Sequence, residues 1–150
     1  MLLIEPGKKI KMPEMIWTYS SCGRGQISRN YHDWCRQYAL AHGNEIRPVV
    51  LNSWEGTYFK FDEKKVKRMI DAAADFGIEM FVLDDGWFGN KYPRDDDRCG
   101  LGDWQVNEKK LPGGIGHLAD YAHKKGVKFG IWVELEMVNP KSCLLYTSPS

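Results

Sequence analysis

The sequence predicts an α/β fold in which short parallel strands alternate with helices, the opening part of a closed (β/α)8 barrel. Three observations predict it. Apolar runs recur at residues 48–54, 78–83 and 127–133, each nearly continuous, as in strands buried on both faces. Segments with helical apolar spacing separate the runs. The stretches that leave each strand are long and rich in Trp, Asp and Glu, whereas the returns from helix to strand are little more than one glycine. That asymmetry suits a barrel, whose site is built at the C-terminal ends of the strands. An open doubly wound sheet shares the element order, but no G-x-G-x-x-G opens the first helix.

In chain order, residues 8–20 mix β-formers with Pro13 and are expected to form an extended segment, with the proline at a strand start or edge. After the break at residues 21–25, Ile27, Tyr31, Trp34, Cys35 and Tyr38 recur at helical spacing, and Gly43 suits a left-handed helix terminus. The second helix is expected over 63–76, with Val66, Met69, Ile70 and Ala73 on one face, Asp62 as N-cap and Gly77 as terminator. The third is expected over 115–125, with Leu118, Tyr121 and Ala122 apolar and Gly126 closing it. The order is thus β-α-β-α-β.

The chain has 150 residues, 43% hydrophobic and 27% charged, enough for one domain with a core. Its 21 basic and 20 acidic side chains are interspersed for a net charge of +1, so no basic stripe is available for a nucleic acid. No apolar run approaches the roughly 18 residues of a membrane span. The opening Met1-Leu2-Leu3-Ile4 meets Glu5 at once and lacks the basic start of a secretory signal. Cys22, Cys35, Cys99 and Cys143 are widely spaced, which suggests neither a zinc ribbon nor a disulfide framework. Reduced thiols and a cytoplasmic enzyme are the expectation.

The chemistry concentrates at the predicted strand ends. Leu83-Asp84-Asp85-Gly86-Trp87 places two adjacent carboxylates where the second strand stops, and Gly86 allows the pleat to break so that both face one cavity. They would accept hydrogen bonds from vicinal hydroxyls, with Trp87 walling the pocket. A plain turn is the alternative, since Asp-Asp-Gly is also turn chemistry. Asn52-Ser53-Trp54-Glu55 and Trp132-Val133-Glu134-Leu135-Glu136 follow the other two strands. Aromatic faces beside carboxylates and amides make a sugar pocket, because the rings stack on C–H faces while the polar groups bind hydroxyls. Trp54 and Trp132 also suit a barrel core, and Glu134 and Glu136 suit ion pairs. Asp95-Asp96-Asp97 lies beside Lys91, Arg94 and Arg98 and is expected to be a self-neutralised loop rather than a calcium site. His32, His42, His117 and His123 have no Ser or Cys partner at suggestive spacing. No metal or cofactor is expected.

These motifs resemble those of the family-36 α-galactosidases. Residues 47–59, RPVVLNSWEGTYF, resemble R-P-V-L-x-N-x-W-E-A-T-Y-F, and residues 81–89, FVLDDGWFG, resemble F-V-L-D-D-G-W-F-G. Residues 101–104 match L-G-D-W, and KFGIW with Glu134, Glu136, Met137 and Val138 resembles K-F-G-L-W-F-E-P-E-M-V. Pro13-Glu14, Tyr19-Ser20, Ser28 and His32 resemble the passage from an N-terminal β-sandwich into the barrel. The departures are Ser53 for Asn, Gly56 for Ala and Leu135 for Pro.

The resemblance implies retaining hydrolysis of terminal α-linked galactose, as in melibiose or raffinose, by two aspartates. The family's K-W-D nucleophile motif is absent here, so the roles implied are binding ones: Asp84 and Asp85 to galactose hydroxyls, Trp54 and Trp132 lining the pocket. Residues 1–25 are expected to close the sandwich and its linker, 26–141 to begin the barrel, and 142–150 to be a non-native tail. Three strands stand against the eight of a barrel of about 250 residues, so a catalytically incomplete fragment is expected. A raffinose-synthase-type galactosyltransferase and a sugar-binding module are the alternatives. Membrane is not an expected partner, and the resemblance suggests homo-oligomers for the full-length protein.

Overall fold

A computed structural model describes residues 5–147. The reading of Met1 to Ile4 as lacking a signal, and that of residues 148–150 as part of a foreign tail, lie outside the described residues. The chain divides into two compact units, one ending at Ile46 and the other beginning at Arg47.

In the first unit, residues 8–20 form no strand. Among the described residues no partner segment supplies a ladder, and backbone without one has no reason to stay in register. Part of the segment is tied instead to helix α1 (Arg24–Trp34). The Asn30 amide donates to Thr18 Oγ1 at 2.9 Å and the Tyr31 hydroxyl to the Ile16 carbonyl at 3.1 Å. A π-helical turn, Cys35–Ala39, follows, so helix ends before the expected Gly43. His42, not Gly43, takes the left-handed conformation, with φ 55°. Gly43 matters for a different reason, since a Cβ there would lie 2.1 Å from the Arg36 carbonyl oxygen.

The second unit has the predicted β-α-β-α-β order. Strands β1 (Val50–Asn52), β2 (Met80–Leu83) and β3 (Lys128–Ile131) form one parallel sheet in the order β1-β2-β3. A four-residue helix not foreseen in the sequence, α2 (Trp54–Thr57), follows β1 directly. Helix α3 (Glu63–Asp75) starts where expected, because the Asp62 carboxylate accepts the Lys65 N–H at 2.7 Å. Helix α4 spans Gly114–Lys124, and α5 spans Cys143–Thr147. Gly77 and Gly126, at φ 74° and 78°, turn the chain from α3 and α4 back into β2 and β3.

One face of the sheet carries the core. Phe81 and Leu83 are fully buried in a cluster with Val66, Ile70, Leu118, Ala122 and Val127, as the helical spacing of 63–76 and 115–125 predicts. Burying side chains of this size contributes about 1.5–3 kcal/mol each. The opposite face differs from expectation, since the sequence runs suggest strands buried on both sides. Val50 is 50% exposed. Only the central strand has neighbours on both edges, and nothing among the described residues packs over the Val50, Asn52 and Val82 face.

Candidate functional site

All three strands point the same way, so their C-terminal ends meet along one rim. The ladder continues past the strands: Ser53 N–H donates to the Val82 carbonyl at 3.0 Å, and Trp132 N–H to that of Leu83 at 2.9 Å. This register sets Asn52-Ser53, Asp84-Asp85 and Trp132 side by side.

Asn52, Val82 and Asp84 share the uncovered face by alternation along the strands. Asn52 Nδ2 donates to Asp84 Oδ2 at 2.5 Å, while Asn52 Oδ1 accepts the Trp54 N–H at 2.7 Å and so holds the start of α2. The Ser53 hydroxyl accepts the Asp84 N–H at 3.0 Å, and Asp84 Oδ1 accepts the Asp85 N–H at 2.7 Å. Asp84 is half-buried, oriented by a neutral amide and faced by no cation among the described residues. Such a carboxylate retains lone pairs for ligand donors.

Asp85 is held differently. Its carboxylate is engaged by Arg94, with Nε 3.0 Å from Oδ1 and 3.1 Å from Oδ2, and Nη2 2.8 Å from Oδ2. The two side chains are only 8% and 6% exposed. The two aspartates are therefore held unequally, Asp84 half-buried on a neutral amide and Asp85 buried on a guanidinium.

Gly86 does allow the backbone to turn, with φ 100°, and a Cβ there would press on Phe59, Phe61 and the Arg94 carbonyl at 3.2–3.3 Å. Trp87, expected to wall a pocket, is instead core at 4% exposure, its indole N–H donating to the Trp132 carbonyl at 2.9 Å. Trp104 bridges Trp87 and Trp132, its ring centroid 6.2 and 6.3 Å from theirs. Trp54 and Trp132 are both half-buried. Trp54 is braced edge-on by Tyr58 and Phe59, with centroids 5.2 and 5.1 Å away, which leaves part of its surface free.

Glu134 and Glu136 make no ion pair with any described residue. In the acidic triplet, Asp96 pairs with Arg98 at 2.5 Å, which lowers the Asp96 pKa from its ordinary value. Asp95 pairs with Lys110 at 2.8 Å. Arg94 does not serve the triplet, as its place beside Asp95 suggests, because it is committed to Asp85.

Sequence reasoning missed Arg94, Lys110 and Asn139. The Lys110 ammonium donates to the carbonyls of Phe59, Gly86 and Arg94 at 3.0, 3.0 and 3.1 Å. Asn139 Oδ1 accepts from Arg94 Nη1 and from the Leu101 N–H, both at 3.0 Å. All three lie in irregular segments, where no periodicity reports burial.

The melibiase family profile matches residues 9–150. The chain belongs to the melibiase family. Mel36A, an α-galactosidase of Lactobacillus acidophilus, is 45% identical over 148 residues, 97% of this chain and 20% of that protein. The α-galactosidase AgaA of Geobacillus stearothermophilus is 46% identical over 150 residues, 98% of this chain and 20% of its own length. This melibiase chain thus spans about a fifth of the curated relatives it matches.

Solved structures agree. A variant of the family-36 enzyme AgaA in complex with raffinose superposes with a TM-score of 0.75 at 47% identity, covering 81% of this chain and 17% of that one. A further AgaA variant, solved with stachyose, gives 0.74. The α-galactosidase of Lactobacillus brevis gives 0.74 at 40% identity, over 87% of this chain and 19% of that one. The three-stranded parallel sheet with its helices is consistent with part of an α/β barrel. Among the described residues, no helix is long and apolar enough to cross a membrane.

Proposed function

We propose that this chain forms the opening β-α units of an α-galactosidase that removes terminal α-linked galactose from oligosaccharides such as melibiose and raffinose, with retention at the anomeric carbon. The observation that carries this reading is the Asp84 carboxylate, held by Asn52 on the uncovered rim where the strands end. Among the described residues no cation satisfies it there, so vicinal sugar hydroxyls are fitting donors. Asp85 contributes its remaining acceptor capacity, and Trp54 and Trp132 supply apolar surface for the C–H face of the ring. The raffinose and stachyose bound by AgaA variants support this substrate class. The nucleophile and the acid/base are contributed by later strands, and this chain alone does not turn over. Cys22, Cys35 and Cys99 are unbridged, which supports a reducing, cytoplasmic setting, and we place the full-length protein in homo-oligomers.

The test is turnover of a chromogenic α-galactoside by the full-length protein carrying this segment, beside its Asp84→Asn variant. Hydrolysis lost or cut by two orders of magnitude in the variant is expected. Transfer of galactose to sucrose in place of hydrolysis would move the reading to a galactosyltransferase, and galactose binding without turnover to a sugar-binding module.

A further inference from the structure

Resting on the galactose-binding reading of the β2 tip, we infer that Arg94 is a positioning residue that orients Asp85 and, through Asn139, ties the segment after β3 to that tip. The guanidinium Nε lies between the two Asp85 oxygens, and Nη2 adds a second donor to Oδ2 at 2.8 Å. Oδ2 thus takes two N–H groups and Oδ1 one. A carboxylate oxygen has about two lone-pair sites, so Arg94 leaves Asp85 its free acceptor direction on Oδ1 alone. A planar fork fixes the carboxylate plane as well as its distance, which a point charge cannot do.

The guanidinium is itself held on its far side. Nη1 donates to the Cys99 carbonyl at 3.2 Å and to Asn139 Oδ1 at 3.0 Å, and the group lies 5.5 Å from the centroid of the Phe59 ring. Asn139 is anchored in turn, its N–H donating to the Leu101 carbonyl at 3.1 Å and its amide to the Asp97 carbonyl at 3.2 Å. The Asp96–Arg98 pair, two and four residues on in the same loop, shows the contrast. It also accepts through a fork, but its side chains are 40% and 82% exposed and touch nothing at the tip. Burial and the double anchoring separate an orienting pair from a surface one.

The experiment uses the full-length enzyme and its Arg94→Lys, Arg94→Met, Asp85→Asn and Arg94→Met/Asp85→Asn variants. Three quantities are measured for each: the inhibition constant of galactose, kcat and KM on a chromogenic α-galactoside, and the urea midpoint. Arg94→Lys keeps the charge and loses the fork. It is expected to fold and to weaken galactose inhibition about tenfold, the loss of one oriented bond to a charged group. Arg94→Met is expected to weaken it further, and the double variant to be no worse than the poorer single one, because both changes remove the same interaction.

Lysine at position 94 with wild-type galactose inhibition and KM would overturn the assignment, even if Arg94→Met does not fold. So would independent, additive losses in the double variant. If the wild-type enzyme itself does not hydrolyse the galactoside, the galactosidase reading fails and takes this role with it. That result is distinct from an active wild type indifferent to lysine at position 94.

Discussion

Asn52 and Asp84, the last residue of β1 and the first beyond β2, meet across the sheet at 2.5 Å. The contact exists because the parallel register pairs Asn52 with Val82, and alternation then sends the side chains of Asn52 and Asp84 to one face. The same amide steadies α2 by accepting the Trp54 N–H, so it links a carboxylate to the backbone that carries a tryptophan of the rim.

Asn52→Ala in the full-length protein is therefore expected to raise KM for an α-galactoside, by about tenfold for one lost bond to a charged group. Asp84→Ala should cost more, since it removes the carboxylate itself. Equal KM in Asn52→Ala and wild type would show that Asp84 needs no orientation from β1.

Lys110 joins three carbonyls around Gly86 and is only 13% exposed, whereas its carboxylate partner Asp95 is 66% exposed. The carbonyls decide the energetics, because surface pairs contribute about 0–1 kcal/mol and an unsatisfied buried polar group costs about 1–3 kcal/mol. Lys110→Met should lower stability by ~3 kcal/mol or more, and Asp95→Asn by ~0.5 kcal/mol or less. Urea unfolding of the full-length variants measures both. The reverse ranking would mean that the ion pair, not the carbonyl cluster, holds the loop.

Glu63 has its pKa lowered from the ordinary 4.5, first by the hydrogen bond from Lys67 and then by that from the Gly113 N–H. Those bonds are 2.6 and 2.8 Å long. A depressed folded-state value means that the stabilisation is present above the unfolded value and disappears as pH falls through the folded one. The urea midpoint of Glu63→Gln should lie below wild type near pH ~7, and the gap should shrink as pH falls below the ordinary 4.5 and through the lowered folded value. A gap that stays constant with pH would assign the effect to packing instead.

The segment expressed alone is expected to aggregate and to show no α-galactosidase activity. Val49, Val133 and Leu135 are 57%, 46% and 78% exposed along the open sheet edges and strand ends, and unpaired apolar edges template association. Size-exclusion chromatography and a chromogenic assay check this. A monomeric species with a sharp cooperative melt would refute the first expectation, and turnover above a blank the second.

Much of this organisation was legible in the sequence because it is written in local periodicity. The 3.6-residue spacing of Val66, Ile70 and Ala73 marks the buried stripe of α3, and Asp62 announces its start. The run before Asp84 announces a strand tip. Periodicity misled at residues 8–20, where β-forming side chains find no partner strand among the described residues, and at the end of 26–43, where helical structure stops at Ala39. Trp87 misled for another reason. A tryptophan beside two aspartates reads as a pocket wall, yet its indole N–H finds the Trp132 carbonyl and the ring goes inward.

The sequence by itself determined the β-α-β-α-β order, the parallel tips that gather Asn52, Asp84 and Trp132, and membership of the melibiase family. Only the tertiary structure decided how the Asp84-Asp85 pair is divided. What receives the second carboxylate is Arg94, nine residues on in an irregular loop and anchored by Asn139 from beyond β3. No spacing rule encodes a contact between loops, so the open carboxylate and the held one look alike until the chain is folded.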